Sequence, residues 1–347
     1  MPDASPWLAA DTPPADLTAF CHRHGLLGET TRVRRAEPAG DGNMNLTLRL
    51  HLEGGGDNGR PTTAILKQSR PWVQKYPQIE APAERIVVEA DFYRAAAGTA
   101  GVGELMPSLM ARADAAHALL LADLGPSSDL TGCYQGRAIA ADVLQRLAEW
   151  LAALHRRRGD AAGDTRFRNR AMRDLNHQHI FVLPMDPATD LPLDDLEPGL
   201  AAAADELRAD AAAARMIAEA GERYLADGDT LLHGDFYPGS WLGTQNGPRV
   251  IDPEFAFCGE AEFDVGVALA HLTLSGGDAA DHFQHAYTEA AGEPVDTQLL
   301  ERFRCIEVIR RLIGVAQLPL PEPIPGGTRR ADHLRRAHAG LIQTADA

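Results

Sequence analysis

Cysteine is scarce in this 347-residue chain, and Cys21, Cys133, Cys258 and Cys305 lie far apart without a CxxC spacing. A zinc site or a disulfide framework is therefore not expected, and reduced thiols are. Basic charge is also in deficit: 33 Lys and Arg against 49 Asp and Glu give a net charge of −16. Such a surface is poor for holding a nucleic-acid backbone, so no nucleic-acid partner is expected. No apolar run approaches the roughly eighteen residues of a membrane span, and the start MPDASPWLAADTPP lacks the basic segment and apolar core of a secretion signal. These absences predict a cytoplasmic protein with no membrane contact. The chain also lacks GxxxxGK followed by Ser or Thr, and lacks GxGxxG after a strand, which removes support for P-loop and dinucleotide-binding enzymes.

What is present suits a two-part globular protein. The length exceeds one comfortable core, and hydrophobic residues make up 45% of it. The first third reads as a sheet. Leu46, Leu48, Leu50 and Leu52 alternate with polar residues, the period of a half-buried strand. The glycine-rich stretch 54–59 turns the chain, and Thr62 to Gln68 returns antiparallel, carrying Lys67. Glu84 to Ala97 reads as a helix, and Leu119 to Gly125 as a buried strand ending in a hinge. Beyond Gly125 the pattern turns helical: Ala140 to Arg158, Leu200 to Leu225, Thr297 to Ala316 and Arg329 to Thr344. The basic run on the last of these, with Arg329, Arg330, Arg335 and Arg336, reads as a solvated face. The division predicted is 1–124 and 125–347.

The densest chemical signal is LLHGDFYPGSWLGTQNGPRVIDPEFAFCGEAEFDVG, from Leu231 to Gly266. An apolar element feeds His233-Gly234-Asp235, and Pro238 and Gly239 forbid a helix there, which places Asp235 on a fixed loop. Pro248 to Ile251 is a short strand, and Asp252-Pro253-Glu254 projects carboxylates from its end. Phosphoryl transfer needs an acceptor for the attacking hydroxyl's proton and hard oxygen ligands for the metal on the nucleotide phosphates. Asp235 suits the first role; Asp252 and Glu254 suit the second. Each tripeptide alone is an ordinary turn. Their order and spacing, with Phe263-Asp264-Val265-Gly266 opening an apolar helix, point to a kinase site.

With these motifs the chain resembles the aminoglycoside phosphotransferase and choline kinase superfamily, and in detail the 5-methylthioribose kinases, whose HGD…GS and VIDPEFAF…FD.G segments it nearly reproduces. Upstream, Gly40 to Leu46 matches that family's glycine loop, and Ile65 to Gln68 its lysine strand. Glu89 falls where the family's helix glutamate stands, and Ile309 to Ala316 resembles its arginine-pair helix. The chain departs from the family loop HGDLHTGSI at Phe236, Tyr237, Pro238 and Trp241, positions that flank the acceptor pocket.

The resemblance implies an α+β, two-lobed protein-kinase-like fold, with a small N-terminal antiparallel-sheet lobe and a larger, mainly helical C-terminal lobe. It implies ATP and Mg2+ as cofactors, bound in the cleft between lobes, and a small-molecule acceptor; by analogy it also suggests a homodimer. Gly42, Asn43 and Asn45 would lie over the phosphates. Lys67, paired with Glu89, would hold the α- and β-phosphates, and the backbone of Ala122, Asp123 and Leu124 would meet the adenine edge. Asp235 would face the acceptor hydroxyl. Asp252 would bind magnesium, with Glu254 and Ser240 as further ligands, and Tyr237 and Trp241 would flank the acceptor. Arg310 and Arg311 have two readings: guanidinium forks for the acceptor, or an ordinary helix ion pair from Glu307 to Arg311. Asp264 likewise either orders the catalytic loop or caps the helix that follows it. The acceptor expected first is 5-methylthioribose. The alternatives are an aminoglycoside or amino-alcohol phosphotransferase, or a nucleotide-binding pseudokinase acting through a protein partner.

Overall fold

The computed structural model describes residues 7–40, 44–54, 62–156, 165–189, 191–292 and 294–344. The chain divides into two compact units, Met1–Pro126 with Pro253–Phe255, and Ser127–Asp252 with Ala256–Ala347.

The first unit contains α1 (Pro14–Arg23), β1 (Arg32–Pro38), β2 (Leu46–Glu53), β3 (Thr63–Gln68), the hairpin β4 (Trp72–Val73) and β5 (Tyr76–Glu80), α2 (Arg85–Ala97), β6 (Leu109–Ala113) and β7 (Ala118–Ala122). Five strands form an antiparallel sheet in the order β1-β2-β3-β7-β6. The alternation read in β2 is the reason for its placement, since Leu46, Leu48 and Leu50 are buried and Thr47, Arg49 and His51 are only partly so. They pack with Leu17 and Phe20 of α1, Leu66 and Leu120 into one core. Each such leucine removed from water contributes about 1.5–3 kcal/mol. The register sets Thr47 opposite Lys67, the next-to-last residue of β3.

The second unit runs β8 (Ser127–Asp129), α3 (Ala141–His155), α4 (Arg170–His177), α5 (Leu193–Leu196), α6 (Leu200–Ala209), α7 (Ala211–Leu225), β9 (Thr230–Leu232), β10 (Trp241–Thr244), β11 (Gly247–Val250), β12 (Phe257–Gly259), α8 (Ala261–Ser275), α9 (Ala279–Ala291), α10 (Thr297–Ile313) and α11 (Arg330–Gln343). Strand β10 pairs with β8 and β11, and β9 pairs with β12. Helix α8 is apolar nearly all round and is buried along almost its whole length. A Cβ built on Gly266 would come within 2.8 Å of Phe303 Cβ and 3.0 Å of the Arg304 nitrogen, so the bare glycine lets α8 and α10 approach this closely.

Two sequence expectations are corrected here. Leu200 to Leu225 is two helices, broken at Asp210, whose backbone turns extended and whose carboxylate accepts from the Ala212 and Ala213 N–H groups as the N-cap of α7. The basic face of α11 is not wholly solvated. Arg330 is buried, and the fully buried Glu197 carboxylate accepts from the Arg330 and Ala331 N–H groups at 2.6 and 3.1 Å. No helix among the described residues is long and apolar enough to cross a membrane.

Candidate active site

In the first unit, Lys67 and Glu89 form the pair that the sequence suggested. Lys67 Nζ lies 2.6 Å from Glu89 Oε1, and both side chains are buried. The chain holds only two lysines, Lys67 and Lys75. Burying an ammonium is costly without a carboxylate partner, and Glu89, one helical turn after Arg85 on α2, supplies it. Gly42 and Asn43 lie outside the described residues. Asn45 is described and buried, and its amide is turned inward: Nδ2 donates to Glu254 Oε2 at 2.9 Å, and Oδ1 accepts from Arg85 Nε at 3.0 Å.

After β7 the chain passes through Asp123 and Leu124. The Ala122 N–H is already spent on the Ser108 carbonyl at 2.9 Å, so of the hinge positions named, Ala122 cannot offer that donor to an adenine. The Asp123 carboxylate is held by Arg49 through two donors, at 2.8 and 3.2 Å, and by the Gly125 N–H at 2.9 Å. Burial pushes its pKa up, but Arg49 and the Gly125 N–H outweigh burial and hold it below the usual carboxylate value.

In the second unit, the loop after β9 is fixed by a single carboxylate. Asp264, fully buried on the first turn of α8, accepts from the His233 N–H at 2.6 Å and the Gly234 N–H at 2.9 Å. This settles the two readings of Asp264 by geometry: the N-cap position is Glu260, and Asp264 orders the loop. His155 bridges Asp264 and the Tyr287 hydroxyl, the structural role read for it. His233 Nδ1 accepts the Asp235 N–H at 3.3 Å, so its proton sits on Nε2 and is donated to the Ile251 carbonyl at 3.0 Å. The catalytic loop and the residue before Asp252 are thereby tied through one imidazole. Asp252 itself has φ +64°, a left-handed backbone that aspartate tolerates better than most residues and that often marks a functional position.

Two expected site residues turn out to be core or loop-closing groups. Trp241, expected beside the acceptor, is fully buried. With Trp150, Phe236 and Phe283 it forms an aromatic stack beneath the loop, with the Phe236–Trp241 centroids 5.0 Å apart and Trp150–Phe236 parallel at 5.3 Å. The Phe236 and Trp241 departures therefore repack the support of the loop rather than line its open side. Ser240 is buried, and its hydroxyl donates to the Asp235 carbonyl at 2.9 Å, closing the loop on itself. Asp252 fits magnesium, which takes one or two carboxylates and completes its shell with water and nucleotide phosphates. In agreement, no cluster of three or more His, Cys, Asp or Glu side chains among the described residues is built to cage a metal.

Around Asp235 the second unit places positive charge. Arg311 Nη2 lies 3.7 Å from Asp235 Oδ1, and the same guanidinium rests 5.3 Å from the centre of the Tyr237 ring. Both readings of the arginine pair hold in part, since Glu307 also pairs with Arg311 at 2.6 Å and Arg310 at 3.1 Å. Burial pushes the Glu307 carboxyl up, but Arg310, Arg311 and His271 outweigh it and hold the group well below the usual range. His271, seven residues after Asp264 and hence on the same face of α8, faces Glu307 through Nε2 at 3.2 Å and the Tyr134 hydroxyl through Nδ1 at 2.5 Å. Burial, with Arg311 adding to it and Glu307 opposing, lowers its pKa from 6.5 to about 4, so it is neutral. Tyr237 is pushed up by burial and the Asp235 carboxylate and stays a phenol. Sequence reading missed Arg85, Tyr134 and His271; only the i, i+7 spacing of His271 from Asp264 carried a trace of this.

A family model described as "Phosphotransferase enzyme family" matches residues 36–303. Curated relatives include a methylthioribose kinase of Exiguobacterium sibiricum, 31% identical over 49% of this chain and 52% of that protein. A methylthioribose kinase of Pectobacterium atrosepticum is 25% identical over 75% of this chain and 65% of its own length. The chain thus spans between about half and two thirds of the curated relatives it matches. Among solved structures, a choline kinase from Cryptosporidium parvum superposes with a TM-score of 0.52 at 12% identity, covering 95% of this chain and 94% of the other. A choline/ethanolamine kinase family protein from Mesorhizobium loti gives 0.52 at 15% identity, covering 96% and 94%. At such identities the structures speak for the fold alone.

Proposed function

The chain belongs to the phosphotransferase enzyme family, and from that premise we propose that it transfers the γ-phosphoryl group of Mg-ATP to a hydroxyl of a small sugar-like acceptor, 5-methylthioribose being the first candidate. The carrying observation is Asp235, held on a loop by the two amide bonds to Asp264 and facing Arg311 at 3.7 Å. In this reading the Asp235 carboxylate orients the acceptor hydroxyl and receives its proton. Lys67, fixed by Glu89, binds the α- and β-phosphates. The chain from Asp123 to Leu124 meets the adenine, and Gly42 and Asn43 serve the phosphates. Asp252 would hold magnesium, whose charge offsets that of the phosphates.

The acceptor side favours a neutral or anionic sugar over an aminoglycoside or an amino alcohol. Arg311 and Arg310 flank Asp235, and the Tyr237 face that would cradle an ammonium already carries the Arg311 guanidinium. Methylthioribose kinase relatives support the sugar reading. ADP release from Mg-ATP, with 5-methylthioribose, ribose, choline, homoserine and an aminoglycoside offered separately, tests it. Turnover with choline or the aminoglycoside and none with either sugar would sink the acceptor assignment. Undiminished turnover by Asp235→Asn would remove Asp235 from the mechanism, where a loss of several orders of magnitude is expected. The proposal includes a homodimer by analogy with methylthioribose kinases, and light scattering on the purified chain tests that.

A further inference from the structure

The side chain of Glu254 is engaged in a way that a magnesium ligand would not be. It is buried, and Oε2 accepts from Asn45 Nδ2 at 2.9 Å while lying 3.1 Å from Arg85 Nε. Arg85 is fully buried and is the hub of this region. Its Nη1 donates to the carbonyls of Arg70 and Pro82, each at 2.8 Å, its Nη2 donates to the Met44 carbonyl at 2.7 Å, and its Nε also reaches Asn45 Oδ1 at 3.0 Å. Burial lowers the pKa of this guanidinium, and the Glu254 carboxylate opposes that. A divalent cation on the same carboxylate would sit beside a buried guanidinium and be repelled by it.

We propose that Glu254 is a positioning residue, a latch that joins the turn after Asp252 to α2 and to the exit of the 40–45 loop, and that it lies outside the metal shell. Arg85 and Glu89 stand four residues apart on α2, so one helix carries both the partner of Glu254 and the partner of Lys67. The latch therefore sets the helix that sets the lysine. Its loss acts on nucleotide binding through Lys67 and the loop exit, and not through magnesium. The inference rests on the kinase reading above only for its effect on nucleotide; the coupling between Asn45 and Glu254 is independent of it.

Calorimetric titration of ATP into the full chain, first in EDTA and then across a magnesium series, tests the proposal on Glu254→Gln and Asp252→Asn. Glu254→Gln is expected to weaken metal-free ATP binding about tenfold and to move the half-saturating magnesium concentration by less than about twofold, while Asp252→Asn moves the latter far more. A Glu254→Gln protein that binds metal-free ATP normally and needs as much extra magnesium as Asp252→Asn would overturn the latch. Should Glu254→Gln not fold, Asn45→Ala, which keeps the Arg85 pair, takes the same test. If the parent chain binds no ATP, the proposed function fails. The latch is then judged by a thermal-melt cycle of Asn45→Ala, Glu254→Gln and the double variant: non-additive shifts uphold it, and additive shifts refute it.

Discussion

Replacing Asp264 by Asn should damage the protein well beyond the loss of one charge. The native carboxylate accepts two backbone N–H groups, from His233 and Gly234, at full burial, with His155 Nε2 a further 3.3 Å contact. Bonds to a charged acceptor contribute about 1.5–3 kcal/mol each. Asparagine keeps one oxygen and turns an NH2 toward the other amide, so one bond becomes neutral and the second becomes donor against donor. Loss of one charged bond together with a buried, unsatisfied N–H comes to about 3–5 kcal/mol. Urea melts followed by the fluorescence of the buried Trp150 and Trp241 would read this, and hydrogen exchange would show faster exchange at the His233 and Gly234 amides. Because the same loop carries Asp235, a displacement near 1 Å should lower kcat by about 100-fold. A stability loss below about 1 kcal/mol with both amides still protected would refute the reasoning that Asp264 holds the loop.

Acid should destabilise the second unit through His271 and Glu307. The folded pKa of His271, about 4, lies below the ordinary 6.5, so the unfolded chain takes up the proton first. The stability tied to the neutral imidazole is complete above pH 6.5 and is lost as pH falls toward 4, by up to about 3 kcal/mol. The lowered Glu307 carboxyl works in the same direction at still lower pH. Urea midpoints of His271→Asn should lose the slope across that window; an unchanged slope would assign it to other groups. Gly266→Ala should cost about 1–3 kcal/mol, read as a lower denaturant midpoint, because the new methyl meets Phe303 Cβ and the Arg304 backbone. Gly239→Ala places a Cβ 2.4 Å from the Tyr237 ring, and should raise the acceptor KM while ATP binding stays constant. Asp210→Ala should cost about 1 kcal/mol in a thermal melt by uncapping α7.

Local information was enough for much of this molecule. Alternation in Leu46 to Leu52 requires a half-buried strand, Pro238 and Gly239 forbid a helix after Asp235, and the order HGD, strand, DPE, FDVG gathers a kinase site on one stretch of chain, because periodicity and turn chemistry act over a few residues. What the sequence by itself determined, then, is the sheet-then-helix division, Asp235 and Asp252 at loop positions, and a lysine with a glutamate to hold it. Tertiary structure alone decided which polar side chains face inward. Glu254 meets Asn45 from 209 positions away, Tyr134 meets His271 from 137 away, and Glu197 caps α11 from 133 away. Whether a carboxylate binds a metal, caps a helix or neutralises a buried guanidinium depends on the partner that folding brings to it. Buried charge must be compensated wherever it lies, and the compensating group carries no local mark in the chain.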